Sequence, residues 1–224
     1  MSKKLFITGI DSNVNTALIS ALILKKMKSS GLNCGYFKPF MPATTELCGH
    51  LADSDANFVI QFSKIDACPE NCSSYWWKEN YSPLLKSQYS KKEFSIEKIK
   101  YDYSQISKKY NYLLIEGFGN ISSPIYINKE EKYFLKDLIW ELGLSIILVI
   151  DANFDNLGNL NLTNEYALSN GIDIQGIILI NYDSSKIEHW INLEQIEILT
   201  GLNVIATICQ NTNEILLLEG LFKE

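Results

Sequence analysis

Leu5-Phe6-Ile7-Thr8-Gly9-Ile10-Asp11-Ser12-Asn13-Val14-Asn15-Thr16-Ala17 is the stretch that decides the fold. A short apolar strand runs into a turn and then into a helix. In that layout backbone N–H groups and a helix N-terminus cradle a triphosphate. A working loop of the form G-x-x-x-x-x-G-K-T would add a flexible glycine, a lysine for the outer phosphates and a hydroxyl for Mg²⁺. At those three positions the chain has Asn15, Thr16 and Ala17. The scaffold points to a nucleotide enzyme, and the substituted loop points to a weakened grip. Taken without the rest of the chain, an ordinary strand-to-helix turn with Ser12 or Asn15 as N-cap accounts for the same residues.

Outward from this stretch, apolar runs recur at Leu5–Thr8, Cys34–Lys38, Tyr112–Glu116, Ile146–Asp151, Ile174–Asn181 and Val204–Ile208. Several are continuous rather than alternating, as strands covered on both faces are. Helices are expected between them, at Asn15–Ser30, Ala52–Ser63, Ser95–Lys109, Glu131–Leu142, Asn159–Asn170 and Lys186–Thr200. Gly31, Gly143, Gly171 and Gly201 stand where left-handed helix C-caps would sit. The alternation predicts one α/β domain over residues 1–224, a three-layer fold with a mostly parallel sheet and helices on both faces. Ligands bind beyond the strand C-terminal ends in such sheets, which here carry Gly9, Lys38, Glu116, Asp151 and Asn181. The stretch Asp66–Lys92 is the least regular and reads as an insertion or lid-like excursion.

Length and composition narrow the function. At 224 residues, 46% hydrophobic and 21% charged, the chain can bury a proper core. A net charge of −6 argues against a nucleic-acid or anionic-membrane surface, both of which need a basic footprint. No apolar run is long enough to cross a bilayer, and the N-terminus has no secretory signal, so a cytoplasmic location is expected. All the basic residues are lysines. Without arginine there is no bidentate clamp for phosphate or carboxylate within a protomer. The five cysteines read as free thiols.

The order and spacing of motifs over nearly the whole chain resemble the dethiobiotin synthetase family, whose members have the P-loop NTPase-like fold. The family opens with a strand and G-T-D-T-x-V-G-K-T, matched by Gly9 to Ala17. Its Y-K-P-V is matched by Phe37-Lys38-Pro39-Phe40, its S-D-A by Ser54-Asp55-Ala56, its S-P by Ser82-Pro83 and its E-G-A-G-G by Glu116-Gly117-Phe118-Gly119-Asn120. Members bind ATP, Mg²⁺ and a diamino fatty acid, capture CO₂ as a carbamate, phosphorylate it and close a ureido ring. The resemblance implies that Asp55 and Glu116 correspond to the Mg²⁺-binding carboxylates. It implies that Lys38 stabilises charge on the carbamate and the transferred phosphoryl group. The nucleotide would lie against Gly9, Asp11, Ser12, Asn13, Val14, Asn15, Thr16, Ala17, Glu116, Gly117 and Asn181. The diamino acid would meet Lys38, Ser82 and Pro83, and a homodimer is implied, since family sites are completed across a subunit interface. These residue types suit phosphoryl transfer, which is mostly positioning and charge neutralisation.

The departures lie in the first loop and in the family's later K-x-G-x-x-N-H segment, which here falls on Asn153 to Asn159. Losing the loop lysine, the metal hydroxyl and the permissive glycine predicts impaired ATP turnover. Two other readings of the same scaffold remain, a noncatalytic binding or regulatory homologue and an enzyme with a different substrate. Cys48, His50, Cys68 and Cys72 could be read as zinc ligands, although Cys48-Gly49-His50 is too tight for most structural sites and buried free thiols are the simpler account. Trp76-Trp77 and His189-Trp190 read as packing residues.

Overall fold

The computed structural model describes residues 3–11, 14–47, 50–91, 94–153, 157–210, 212 and 215. In chain order the elements are β1 (Lys3–Gly9), α1 (Thr16–Ser29), β2 (Cys34–Phe37), β3 (Phe40–Met41), β4 (Thr45–Leu47), β5 (His50–Asp53) and α2 (Asp55–Ser63). They continue with β6 (Tyr75–Trp76), α3 (Pro83–Ser90), α4 (Ile96–Ser107), β7 (Tyr112–Glu116), β8 (Pro124–Ile127), β9 (Lys132–Phe134) and α5 (Leu135–Glu141). The last are β10 (Ile146–Asp151), α6 (Leu157–Ser169), β11 (Ile174–Ile180), α7 (Ile187–Thr200) and β12 (Val204–Ile208).

Six strands make one parallel sheet in the order β12-β11-β10-β1-β7-β2. The chain leaves β1, passes over β7 to the edge at β2, and returns to β7. It then crosses to the other side of β1 for β10, β11 and β12. That reversal beside β1 opens a crevice at the strand C-terminal ends, where such sheets bind ligands. Successive residues of β10 face opposite ways, and each face has its own core. Leu148 and Ile150 pack with α4, α5, α6 and α7, while Ile147 and Val149 lie in the core that holds α1 and α2. Both faces are therefore dry, which is why the strand sequences are continuously apolar. Among the described residues, no helix is long and apolar enough to cross a membrane.

The structure corrects two helix boundaries. The expected helix Ala52–Ser63 starts only at Asp55, because Ser54 caps it by accepting the Asn57 N–H at 3.0 Å, and Ala52 belongs to the β4–β5 hairpin. The expected helix Glu131–Leu142 begins at Leu135, since Lys132–Phe134 pairs with β8 in a second hairpin. Tyr133 stacks on Tyr126 across that hairpin at 5.5 Å. Phe134 then donates its N–H to Asp137, which opens the helix. The irregular stretch 66–92 contains β6, α3 and a short 3₁₀ turn at Pro69–Asn71. Its Trp77 is buried in the core beside Phe94, so the packing reading of that tryptophan holds, while Trp76 is exposed.

Gly35, in the middle of edge strand β2, sits where any β-carbon would collide with the ring of Tyr110. Replacing Gly35 with alanine should destabilise the fold by ~1–3 kcal/mol, the usual cost of overpacking. Urea unfolding followed by circular dichroism would show it as a lowered midpoint, and an unchanged midpoint would mean the ring moves aside freely.

Candidate active site

Two strands and two helices bring the site together. Glu116 ends β7, aligned with Ile7 of β1, and is 1% exposed. Lys38 follows β2, two residues after Tyr36, so strand alternation puts both side chains on one face. Thr16 and Ser20 stand one turn apart on α1 and share a face as well. All four converge on one carboxylate. Lys38 Nζ lies 2.6 Å and Thr16 Oγ1 3.0 Å from Glu116 Oε1, while Ser20 Oγ and Tyr36 OH each donate to Oε2 at 2.8 Å. Lys38 Nζ also meets Asp55 Oδ2 at 2.5 Å, at the first turn of α2.

This network settles the protonation of its donors. Burial would lower the Lys38 ammonium, but Glu116 and then Asp55 outweigh it and hold the group above the ordinary lysine value. Burial, followed by the Glu116 and Asp55 charges, pushes the Tyr36 phenol well above its usual value. Both groups therefore remain donors at neutral pH. One ammonium between two carboxylates leaves the triad with a net negative charge.

The triad borders a cavity of about 450 Å³. Of the residues expected to meet ligands, Asp11, Val14, Asn15, Thr16 and Ala17 line it, as do Lys38, Asp55, Ser82, Pro83, Glu116 and Gly117. Gly9 lies just behind, in a turn so tight that a β-carbon there would approach Asp11 O to 2.6 Å. Ser12 and Asn13 lie outside the described residues. Asn181 stands apart. Its φ of 56° is left-handed, and its side-chain amide donates to Asp151 Oδ2 at 2.6 Å. It borders a second cavity of about 460 Å³ beyond β10, β11 and β12, which meets the first at Asn15.

Among the described residues at the helix start, two backbone amides are bonded within the chain. Asn15 is the N-cap of α1 and accepts the Leu18 N–H at 3.0 Å, and Thr16 N–H is bonded to Val14 O at 2.9 Å. Two amides near the helix start, which an anion would use, are already taken by the chain.

Comparison with known proteins supplies the family. The AAA_26 family, an AAA domain, matches residues 3–214. The ATP-dependent dethiobiotin synthetase of Clostridium perfringens is 36% identical over 208 residues, covering 93% of this chain and 91% of that protein. The chain belongs to the dethiobiotin synthetase family. The enzyme of the same name from Brachyspira hyodysenteriae is 33% identical over 208 residues, covering 93% and 92% of the two chains. Among solved structures, the MinC:MinD cell division protein complex of Aquifex aeolicus superposes with a TM-score of 0.55 at 13% identity, covering 94% of this chain and 82% of that one. That likeness shows the fold alone, the α/β arrangement of P-loop nucleotide hydrolases.

Asp55 of the S-D-A motif, Ser82 and Pro83 of S-P, and Glu116 and Gly117 of E-G line one cavity. The sequence reading missed Ser20 and Tyr36, although their spacing to Thr16 and Lys38 carried the signal. It also missed Phe118, which stands at the family's alanine position, lines the cavity and packs edge-on against Phe40 at 5.7 Å. Among the described residues no group of three or more His, Cys, Asp or Glu is placed to hold an ion, and the His50 side chain is outside them. Cys48 lies outside them. Burial pushes the Cys72 thiol up to about 12, and Cys68 donates to Glu70. His189 is buried and accepts the Asp183 N–H on Nδ1.

Mg²⁺ binds through one or two carboxylates together with phosphates and water. Asp55 has an exposed edge that suits this, its side chain being 40% accessible. Glu116 does not. A carboxylate has about four lone-pair positions, and those of Glu116 are taken by Lys38, Thr16, Ser20 and Tyr36. As arranged, the pair does not fit a shared divalent ion.

Proposed function

We propose that this chain is a dethiobiotin synthetase-like protein of biotin biosynthesis whose cavity takes the diamino acid while its hold on ATP is weak. The observation that carries this reading is that Asn15 and Val14 already accept the amides of Leu18 and Thr16 at the start of α1. The family reaction is the ring-closing carboxylation of 7,8-diaminononanoate with ATP. For that chemistry Lys38, at the cavity edge, is the one ammonium placed among the described lining residues to neutralise a carbamate or phosphoryl oxygen. Ser82 caps α3 and, with Pro83, lines the same cavity, where the diamine would rest against them. The net negative triad favours an ammonium-bearing guest over a triphosphate, which without a counter-ion is repelled. The second cavity beyond Asn15 is the place for the nucleotide base, with Asn181 at its edge.

Calorimetry with 7,8-diaminononanoate and with ATP tests both halves. Diamine binding with ATP heats near the detection limit is expected, together with poor rescue of a biotin auxotroph lacking this enzyme. Micromolar ATP binding and full rescue would show an intact enzyme instead, and loss of diamine binding would remove the reading altogether. A homodimer in a cytoplasmic setting belongs to the same proposal. It is supported by the apolar side chains exposed on α6 and α7, among them Leu162, Leu168, Trp190 and Ile198. Light scattering on the purified chain should return twice the mass of one chain, and a monomer at high concentration would contradict it.

A further inference from the structure

We propose that Lys38 takes the place of a divalent ion in this site, as the resident cation between Asp55 and Glu116, and that Thr16, Ser20 and Tyr36 are the positioning residues that make Glu116 its anchor. The hydrogen bonds carry the argument. Glu116 Oε1 receives the ammonium and the Thr16 hydroxyl, and Oε2 receives the Ser20 and Tyr36 hydroxyls. Ser20 and Tyr36 are fully buried, so no solvent stands ready to replace the acceptor if a metal claimed it. An ion seated on Glu116 would leave at least one buried donor unpaired, the expensive outcome for a polar group in the interior. Asp55 completes the arrangement at 2.5 Å on the other side of the same ammonium.

The substituted loop and the metal-free carboxylate pair are then one change. Thr16 occupies the position of the family's loop lysine, and its hydroxyl serves Glu116 from there. A lysine at that position has no hydroxyl to give, so Oε1 would lose one of its two donors. With threonine there, the one cation on the pair among the described residues is Lys38, which the fold supplies just after β2.

The inference rests on the reading of this cavity as the family's reaction pocket, but its test needs neither nucleotide nor diamine. Mn²⁺ reports by electron paramagnetic resonance on oxygen sites of the Mg²⁺ type. The full-length protein should leave the spectrum of free Mn²⁺ unchanged. Lys38→Gln, which strips the cation from both carboxylates, should gain Mn²⁺ affinity by at least ~10-fold, the scale on which neighbouring groups tune metal sites. Tyr36→Phe keeps the lysine and frees a lone pair on Oε2, so a smaller gain is expected, and it serves if Lys38→Gln does not fold. Mn²⁺ held by the unaltered protein and lost in Asp55→Asn or Glu116→Gln would overturn the proposal. So would the absence of any gain in the folded variants. Calorimetry with nucleotide and diamine decides the proposed function separately, so either can fail while the other stands.

Discussion

Glu116→Ala should lower the unfolding free energy by ~3–5 kcal/mol, the scale for breaking one side of a buried ion pair. The loss is large because the carboxylate serves four donors at once. Without it, Lys38 faces Asp55 alone, and the hydroxyls of Ser20 and Tyr36 are stranded in a dry interior. Urea unfolding would read the difference directly, and a loss below that of an ordinary surface substitution would show that the network relaxes onto water. The pH dependence follows from Lys38. Its folded pKa is raised, so its contribution is complete below the unfolded lysine value of ~10.4 and fades only as pH climbs through the higher folded value. The penalty should therefore be flat from roughly pH 7 to 9. A penalty that shrinks across that window would mean the ammonium loses its proton early.

Restoring the loop with Asn15→Gly, Thr16→Lys and Ala17→Thr together should raise ATP affinity by ~10–100-fold. One charged hydrogen bond to phosphate contributes ~1.5–3 kcal/mol, and each ~1.4 kcal/mol is tenfold. Two opposing effects are built in. Removing the Asn15 cap frees the Leu18 N–H for a phosphate at a cost to the helix of only a few tenths of a kcal/mol, roughly. Thr16→Lys withdraws a hydroxyl from Glu116 and brings a second ammonium close to Lys38, which lessens the gain. Fluorescent-nucleotide titration would measure the change. Unaltered affinity would mean that the loop path, and not its residue types, excludes the triphosphate.

Some of this was legible residue by residue. The six sheet strands were readable because burial on both faces makes each a continuous apolar run. Gly31, Gly143, Gly171 and Gly201 all have positive φ where helices were expected to stop, because few other residues tolerate that backbone. The hairpins β4–β5 and β8–β9 were not readable. Short strands such as Lys132–Phe134 owe their pairing to partners like Tyr126 rather than to any period of their own. Helix α3 announced itself in Ser82-Pro83, an N-cap followed by proline at the first helical position, but that pair was read only as a ligand motif.

The sequence by itself determined the parallel α/β scaffold, the family, and the loss of lysine, threonine and glycine from the first loop, since period and residue identity are local properties of a chain. Only the tertiary structure decided what Glu116 does. Its partners come from α1 and from the segment around β2, up to 100 positions away along the chain, and no local pattern records that four donors will arrive at the same two oxygens. Asn181 shows the same limit from the other side. A residue type suited to reading a base is turned by a left-handed backbone towards Asp151, and that orientation is fixed by packing between strands and not by the residues beside it.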